Sequence, residues 1–318
     1  MAVQAPAPTE TVERFPCFGG VCVVIVQGSG PAGSPSEAAA RARRRLEHWH
    51  RQFSRFEPRS ELSTLNADPR ETVPVSPMMA RFVRAAVQAA AMTGGLADPT
   101  MVSEIERAGY GQSLAPGTRK LDGSKLEALG FTPTPVRAGP RIARWHEIHV
   151  DEVAGTVSRP PGVRLDSGGI GKGLFGDVLA TVLAGHCSFA VAAAGDVRFG
   201  GSDRLPRALQ VESPFDDSIL HTFELVEGAV ATSGTSKRSW LTADGRLAHH
   251  LLNPATGTPA FTGLVQVTAL APTGVRAEAI SKAALLSGPD GAASWLTHGG
   301  VIVHDDHTVE IVDPASAT

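Results

Sequence analysis

The chain has little net charge, few cysteines and no long apolar run, and each shortage closes off a class of protein. Its 29 Lys and Arg nearly balance 32 Asp and Glu, giving a formal net charge of −3 over 318 residues and a pI near 6.4. Proteins that grip nucleic acid by its phosphates carry a basic footprint, which is missing here, so nucleic acid is not an expected partner. No stretch is long and apolar enough to cross a bilayer, and no membrane anchor is expected. Cys17, Cys22 and Cys187 are odd in number and lack metal-type spacing, which fits unpaired thiols in a reducing compartment better than a disulfide framework. Residues 1–14 lack a charged n-region, an apolar h-region and a lipidation cysteine. They read as a loose tail ahead of a single domain over 15–318, and the expected location is the cytoplasm.

What is present suits a soluble globular protein, with 42% hydrophobic residues, enough for one large core or two modest ones. Helical and strand-like patterns occur without regular alternation. Val21–Gln27 reads as a buried strand, and from Ser36 a helix carries Leu46, Trp49, Phe53 and Phe56 at helical spacing. Its other face bears Arg41, Arg44, His48, Arg51 and Arg55, read as a solvated basic surface. Further helices are expected over Pro77–Met92, Pro99–Ala108, Arg276–Ser287 and Ala292–His298. Phe131–Arg141, with three prolines, reads as a loop. Hairpins are expected at Glu147–Val150 with Thr156–Arg159 and at Val301–His304 with Thr308–Val312, and short strands fill 208–271.

The chemistry concentrates at Asp166-Ser-Gly-Gly-Ile-Gly-Lys-Gly-Leu-Phe-Gly-Asp177, with five glycines and one lysine before an expected helix at Leu174. Glycines let the backbone approach an anion, a helix start offers unpaired N–H groups, and Lys172 adds a cation, so the segment reads as a phosphate cradle for a nucleotide. A Walker loop is excluded, because Asp166 stands where it needs glycine and Gly173 where it needs Ser or Thr. Gly171-x-Gly173-x-x-Gly176 does satisfy the dinucleotide fingerprint, with Asp196 as the ribose acid, and a Rossmann oxidoreductase is the alternative. Against it, the apolar run Val163–Leu165 is short and is broken by Asp166 and Ser167.

Other polar clusters accompany the glycines. Phe53–Asn66 holds an aromatic, two arginines, Glu61 and Asn66 in a turn-rich stretch, Gly195-Asp-Val-Arg198 follows a strand, and Val230–Arg238 is rich in hydroxyls. His249-His250 closes a strand-like run before Asn253-Pro254, where an imidazole can serve as a base or be a hydrogen-bonded structural histidine.

In order along the chain, Phe53-Ser-Arg-Phe-Glu-Pro…Asn66, Thr93-Gly-Gly-Leu-Ala-Asp-Pro-Thr100, Asp166…Gly173, Gly195–Arg198, Ala231-Thr-Ser-Gly234, His250…Gly257 and Val267…Pro272 resemble the FAD:protein FMN transferase family, ApbE. The resemblance implies an α+β fold with antiparallel sheets, flanking helices and two lobes around a flavin-nucleotide cleft. It further implies magnesium-assisted cleavage of FAD, with FMN passed as a phosphodiester to a Thr or Ser of an acceptor protein and AMP released. On it, His250 is the candidate base and Lys172 the charge neutraliser. The nucleotide would be held by Phe56, Asp166, Gly168, Gly169, Gly171, Lys172, Thr232, Ser233, Gly234 and His250, with Asp166 ordering the glycine loop.

Three positions depart from that family. Its late helix binds metal through an Asp and, four residues on, a Thr, with a glycine-loop carbonyl; here these are Glu278, Lys282 and Gly171. Glu and Lys at that spacing can pair with each other. Either Lys282 supplies its own charge, or it swings away and Glu278 holds the metal with waters, or the chemistry is lost and FAD is only bound. The third departure is Asn253 in place of Asp. FAD hydrolysis to FMN and AMP is a variant in which water replaces the acceptor hydroxyl.

Overall fold

The computed structural model describes residues 10–112, 142–216, 218–236, 238–242 and 245–314; the expected loop at Phe131–Arg141 lies outside them. In chain order the first strands are β1 (Glu10–Cys17), β2 (Gly20–Gln27), β3 (Thr72–Pro74), β4 (His149–Asp151), β5 (Thr156–Ser158), β6 (Ser188–Ala193) and β7 (Asp196–Gly200). They continue as β8 (Arg207–Glu212), β9 (Ile219–Leu225), β10 (Gly228–Gly234), β11 (Ser239–Leu241), β12 (Leu247–His249), β13 (Leu252–Asn253), β14 (Thr258–Pro259), β15 (Leu264–Ala271), β16 (Gly300–His304) and β17 (Val309–Val312). The helices are α1 (Pro35–Gln52), α2 (Glu61–Ala67), α3 (Pro77–Met92), α4 (Val102–Arg107), α5 (Gly171–Leu183), α6 (Gly274–Ser287) and α7 (Pro289–Trp295).

An eight-stranded sheet in the order β1-β2-β6-β7-β10-β15-β16-β17 organises the molecule, and every neighbouring pair is antiparallel. Its central strands are apolar on both faces, because both are covered. In β6, Phe189, Val191 and Ala193 join the cluster under α1, α3 and α5, while Ala190 points to the opposite cluster. In β10 and β15, Ala229, Ala231, Val267 and Ala269 pack with α6 and α7, while Val230 and Leu270 meet Leu209 and Phe223 of the β8–β9 hairpin. Period-two alternation thus fixes which residues see helix and which see hairpin. The architecture is the α+β arrangement of antiparallel sheet and flanking helices that the sequence implies.

Helix starts follow local chemistry. Ser34 and Glu37 form a reciprocal capping box with Pro35 in the first turn of α1, and Ser76 caps α3 ahead of Pro77. The α3 range, the β2 core and both expected hairpins are found. Four readings need correction. Glu10–Arg14 is not tail but part of β1, because its pairing with Val23–Gln27 satisfies backbone groups along the sheet edge. Helix α5 begins at Gly171, so Gly171, Gly173 and Gly176 lie within it rather than in a loop before it. Strand β6 runs antiparallel to both neighbours, which removes the parallel βαβ unit that a dinucleotide fingerprint requires. Phe56 lies beyond α1, which ends at Gln52.

Candidate active site

Motifs far apart in sequence meet at the turn before α5. Asn66 grips the backbone of Leu165 from both sides, its amide donating to the carbonyl at 2.8 Å and its oxygen accepting the N–H at 2.7 Å. The hydroxyl of Ser167 donates to the Phe53 carbonyl at 2.8 Å, and the Asp166 N–H donates to the Pro99 carbonyl at 2.9 Å. Phe53–Asn66 and Thr93–Thr100 therefore hold the chain that enters the glycine turn. Asp166 accepts the Gly168 N–H at 3.0 Å within the turn.

Behind the turn, Gly173 in α5 touches Gly274 at the start of α6. A Cβ on Gly173 would sit 2.3 Å from the Gly274 carbonyl oxygen, and one on Gly274 would sit 2.5 Å from that of Gly173. These glycines permit helix contact; they do not face a ligand. The Gly173 N–H is likewise engaged, donating to Glu278 Oε2 at 2.7 Å.

Lys172 forms an ion pair with Asp196 and lies 3.4 Å from Glu278 Oε1, and both carboxylates are buried. Burial opposes the Lys172 charge, but the two carboxylates outweigh it and hold its pKa above the ordinary lysine value, with Arg238 opposing. Burial pushes Glu278 up to about 7, against the pull of Lys172. Asp196 also accepts the Thr232 N–H at 3.0 Å, which ties β10 to this network. It is a partner for Lys172 rather than a ribose acid.

Lys282 does something different. Its ammonium donates to the Gly169 carbonyl at 2.8 Å, where a Cβ on Gly169 would approach Nζ to 3.1 Å. Among the described residues Lys282 and Glu278 form no ion pair within 4.0 Å, although their i,i+4 spacing allows one, since each has a partner on the glycine segment. Burial depresses the Lys282 pKa, Glu278 opposing and Lys172 reinforcing. The carbonyl that meets Lys282 is that of Gly169 rather than Gly171.

A divalent cation does not fit this donor set. Magnesium wants several oxygen ligands in near-octahedral array, whereas Glu278 is already held by an N–H and an ammonium, Asp196 is paired with that same ammonium, and the nearest loop carbonyl is occupied by a second ammonium. Among the described residues no group of three or more His, Cys, Asp and Glu is placed to hold a metal.

The turn, Lys172 and Lys282 face a cleft of about 620 Å³, lined by Phe56, Tyr110, Asp166, Gly168, Gly169, Gly171, Lys172, Arg238, His250 and Lys282, while Gly173, Asp196 and Glu278 lie behind it. One wall is a ladder of rings and a cation. Arg55 lies 4.2 Å from the Phe56 ring centroid and 4.7 Å from that of Tyr110, which stacks on Trp240 at 5.3 Å. Arg55 donates to the Tyr110 carbonyl at 2.7 Å and its side chain is 6% exposed, so it is not part of the solvated basic face assigned to it from sequence. Sequence reading missed Tyr110, Arg238 and the wall role of Arg55; the chain's single tyrosine, set between Gly109 and Gly111, was the available signal.

The adjacent histidines separate cleanly. His249 is buried, accepts the Leu251 N–H at 3.3 Å, meets Phe261 edge-on, and is lowered by burial to about 4. His250 reaches the cleft. Its Nδ1 is shielded from solvent and, among the described residues, has no hydrogen-bond partner, and burial, reinforced by Arg238, His249 and Lys282, drives its pKa well below that of free imidazole. Asn253 accepts the Ala255 N–H at 2.9 Å within its own turn, so its amide is used locally. The Thr232 and Ser233 hydroxyls pair with those of Thr268 and Ser281 at 2.9 Å, and neither Thr232, Ser233 nor Gly234 lines the cleft.

The model of the ApbE family matches residues 18–303. The chain belongs to the ApbE family. It is 29% identical over 240 residues to the FAD:protein FMN transferase of Chlamydia trachomatis, covering 72% of this chain and 69% of that one. It is 24% identical over 296 residues to the protein of the same name from Treponema pallidum, covering 88% and 79%. The crystal structure of the ApbE protein from Thermotoga maritima superposes with a TM-score of 0.76 at 26% identity, covering 95% of this chain and 97% of that one. The flavin transferase ApbE from Vibrio cholerae gives 0.73 at 20% identity over 97% and 98%, a likeness of ApbE fold. Among the described residues no helix is long and apolar enough to cross a membrane.

Proposed function

We propose that this ApbE-family chain cleaves FAD and attaches its FMN moiety to a Thr or Ser hydroxyl of an acceptor protein. The observation that carries the reading is one cleft in which an aromatic wall, an open glycine turn with cations beside it, and a base-competent imidazole converge. Phe56 puts aromatic surface on the cleft for a ring system, while Tyr110, stacked on Trp240 and covered by Arg55, backs that wall, with the Gly168 and Gly169 backbone beside the diphosphate. The acceptor oxygen attacks the phosphorus on the FMN side, that P–O bond forms, the bridging P–O bond breaks, and AMP leaves. The hydroxyl proton passes to His250, which burial keeps neutral and hence able to accept it. Free thiols at Cys17, Cys22 and Cys187 support a reducing compartment such as the cytoplasm.

Incubating the full chain with FAD and Thr- and Ser-bearing acceptor protein and following AMP tests this directly. AMP with free FMN instead of protein-bound flavin would identify a pyrophosphatase, and bound FAD without AMP a protein that only holds the nucleotide. His250→Ala should lower turnover about 10²–10⁴-fold, the scale of general-base catalysis, with FAD fluorescence quenching retained; unchanged AMP release would remove His250 from the reaction. Because the base acts neutral, activity falls only as pH drops through its depressed pKa. The acid limb of kcat/KM should therefore lie below 6.5, the ordinary imidazole value; a limb at or above that value would contradict the burial argument.

A further inference from the structure

We infer that Lys282 is a built-in cation for the pyrophosphate, so that this chain holds and cleaves FAD without a divalent metal. The inference rests on the proposed FAD chemistry and adds the source of the positive charge.

Geometry carries it. The Lys282 ammonium is fixed to the Gly169 carbonyl at 2.8 Å, at the mouth of the glycine turn and on the cleft lining. An ammonium has three N–H donors and, among the described residues, the Gly169 carbonyl is its one hydrogen-bond acceptor, which leaves donors for phosphate oxygens. The carboxylate one helical turn away is already taken, since Glu278 accepts the Gly173 N–H and is ion-paired with Lys172. A divalent ion here would sit against a fixed ammonium and lack the oxygens that magnesium requires. The cleft nevertheless needs positive charge to take up the electron density that collects on the bridging oxygen as the P–O bond to AMP breaks. Lys172 has its charge matched by two buried carboxylates. Lys282 forms no ion pair within 4.0 Å among the described residues, and its part is to donate hydrogen bonds, with no proton transferred.

The test uses the full chain, FAD titrated by fluorescence quenching, and Mn2+ followed by electron paramagnetic resonance. The wild type should bind FAD with the same affinity in excess EDTA and in magnesium, release AMP in EDTA, and bind no Mn2+ at this site. Lys282→Met should weaken FAD binding by about tenfold to a hundredfold in EDTA, the loss of one charge-assisted hydrogen bond, and Lys282→Arg should recover most of it. Lys282→Thr combined with Glu278→Asp should gain Mn2+ binding and make FAD affinity depend on magnesium. Tighter FAD binding by the wild type with magnesium, AMP release abolished by EDTA and restored by the metal, or full affinity in Lys282→Met would each overturn the inference. Should Lys282→Met fail to fold, the EDTA and magnesium comparison on the wild type decides alone. A wild type that binds no FAD in either buffer defeats the functional reading, and this inference with it, whereas FAD bound only with metal defeats this inference and leaves that reading standing.

Discussion

Asp166–Ile170 and Gly171–Gly176 belong to one glycine-rich run, but the first stretch stays open to the cleft while the second is packed and paired. In the open stretch, among the described residues, Gly168 donates to Asp166 and the Gly169 carbonyl holds an ammonium whose other donors have no partner. In the packed stretch Gly173 abuts Gly274, its N–H goes to Glu278, and Lys172 is held by two carboxylates. A glycine or a lysine next to a phosphate-like motif is therefore not a ligand group by its presence. It becomes one only where its hydrogen-bonding capacity is left over after folding.

The contrast can be broken most forcefully at Lys172. Replacing it with Met leaves Asp196 and Glu278 buried without their cation, with an expected loss of about 3–5 kcal/mol in urea unfolding. That deficit should grow as pH rises. Without Lys172 the Glu278 carboxyl, already pushed from 4.5 to about 7, rises further. The folded state then keeps a proton that the unfolded chain has released, and stability falls as pH climbs through that window. A loss that shrinks with increasing pH would contradict the pairing.

Next in size is Gly173→Ala, where a methyl must displace the Gly274 backbone, at about 1–3 kcal/mol of overpacking. The smallest effect is expected from Gly168→Ala in the open stretch. Its Cβ would meet Asp166 Oδ1 at 3.5 Å, an ordinary contact, so the unfolding free energy should stay within about 0.5 kcal/mol of the wild type while FAD affinity falls through crowding of the cradle. Equal destabilisation by the two glycine substitutions would erase the distinction between the stretches.

Much of the fold was legible. Apolar residues at helical spacing marked α1, the expected bounds of α3 coincide with those found, apolar runs marked the strands, and the short hairpins carried their own turn residues, whereas the Ser34 cap of α1 went unread. The first strand was not, because Glu10–Arg14 is polar and sits on a sheet edge, where pairing rather than apolar content makes the strand. The site was legible as a set of segments. Phe56, the glycine turn, Lys172, Lys282 and His250 do meet around one cleft. Thr232 and Ser233 do not reach it, since a hydroxyl in β10 can spend itself on Thr268 or Ser281 across the core, and no local pattern reveals such a partner.

The order and residue types of the motifs, fixed along the chain, were enough to set family, antiparallel architecture and the neighbourhood of the cleft, because turns, caps and alternation are short-range properties. Which lysine stays available, which histidine faces the cleft and which carboxylates are already taken depended on residues about 24 to 113 positions apart coming within hydrogen-bond reach. Those pairings are decided by packing of α5 against α6 and the sheet. Charge availability is a property of the folded neighbourhood, so only tertiary structure could assign it.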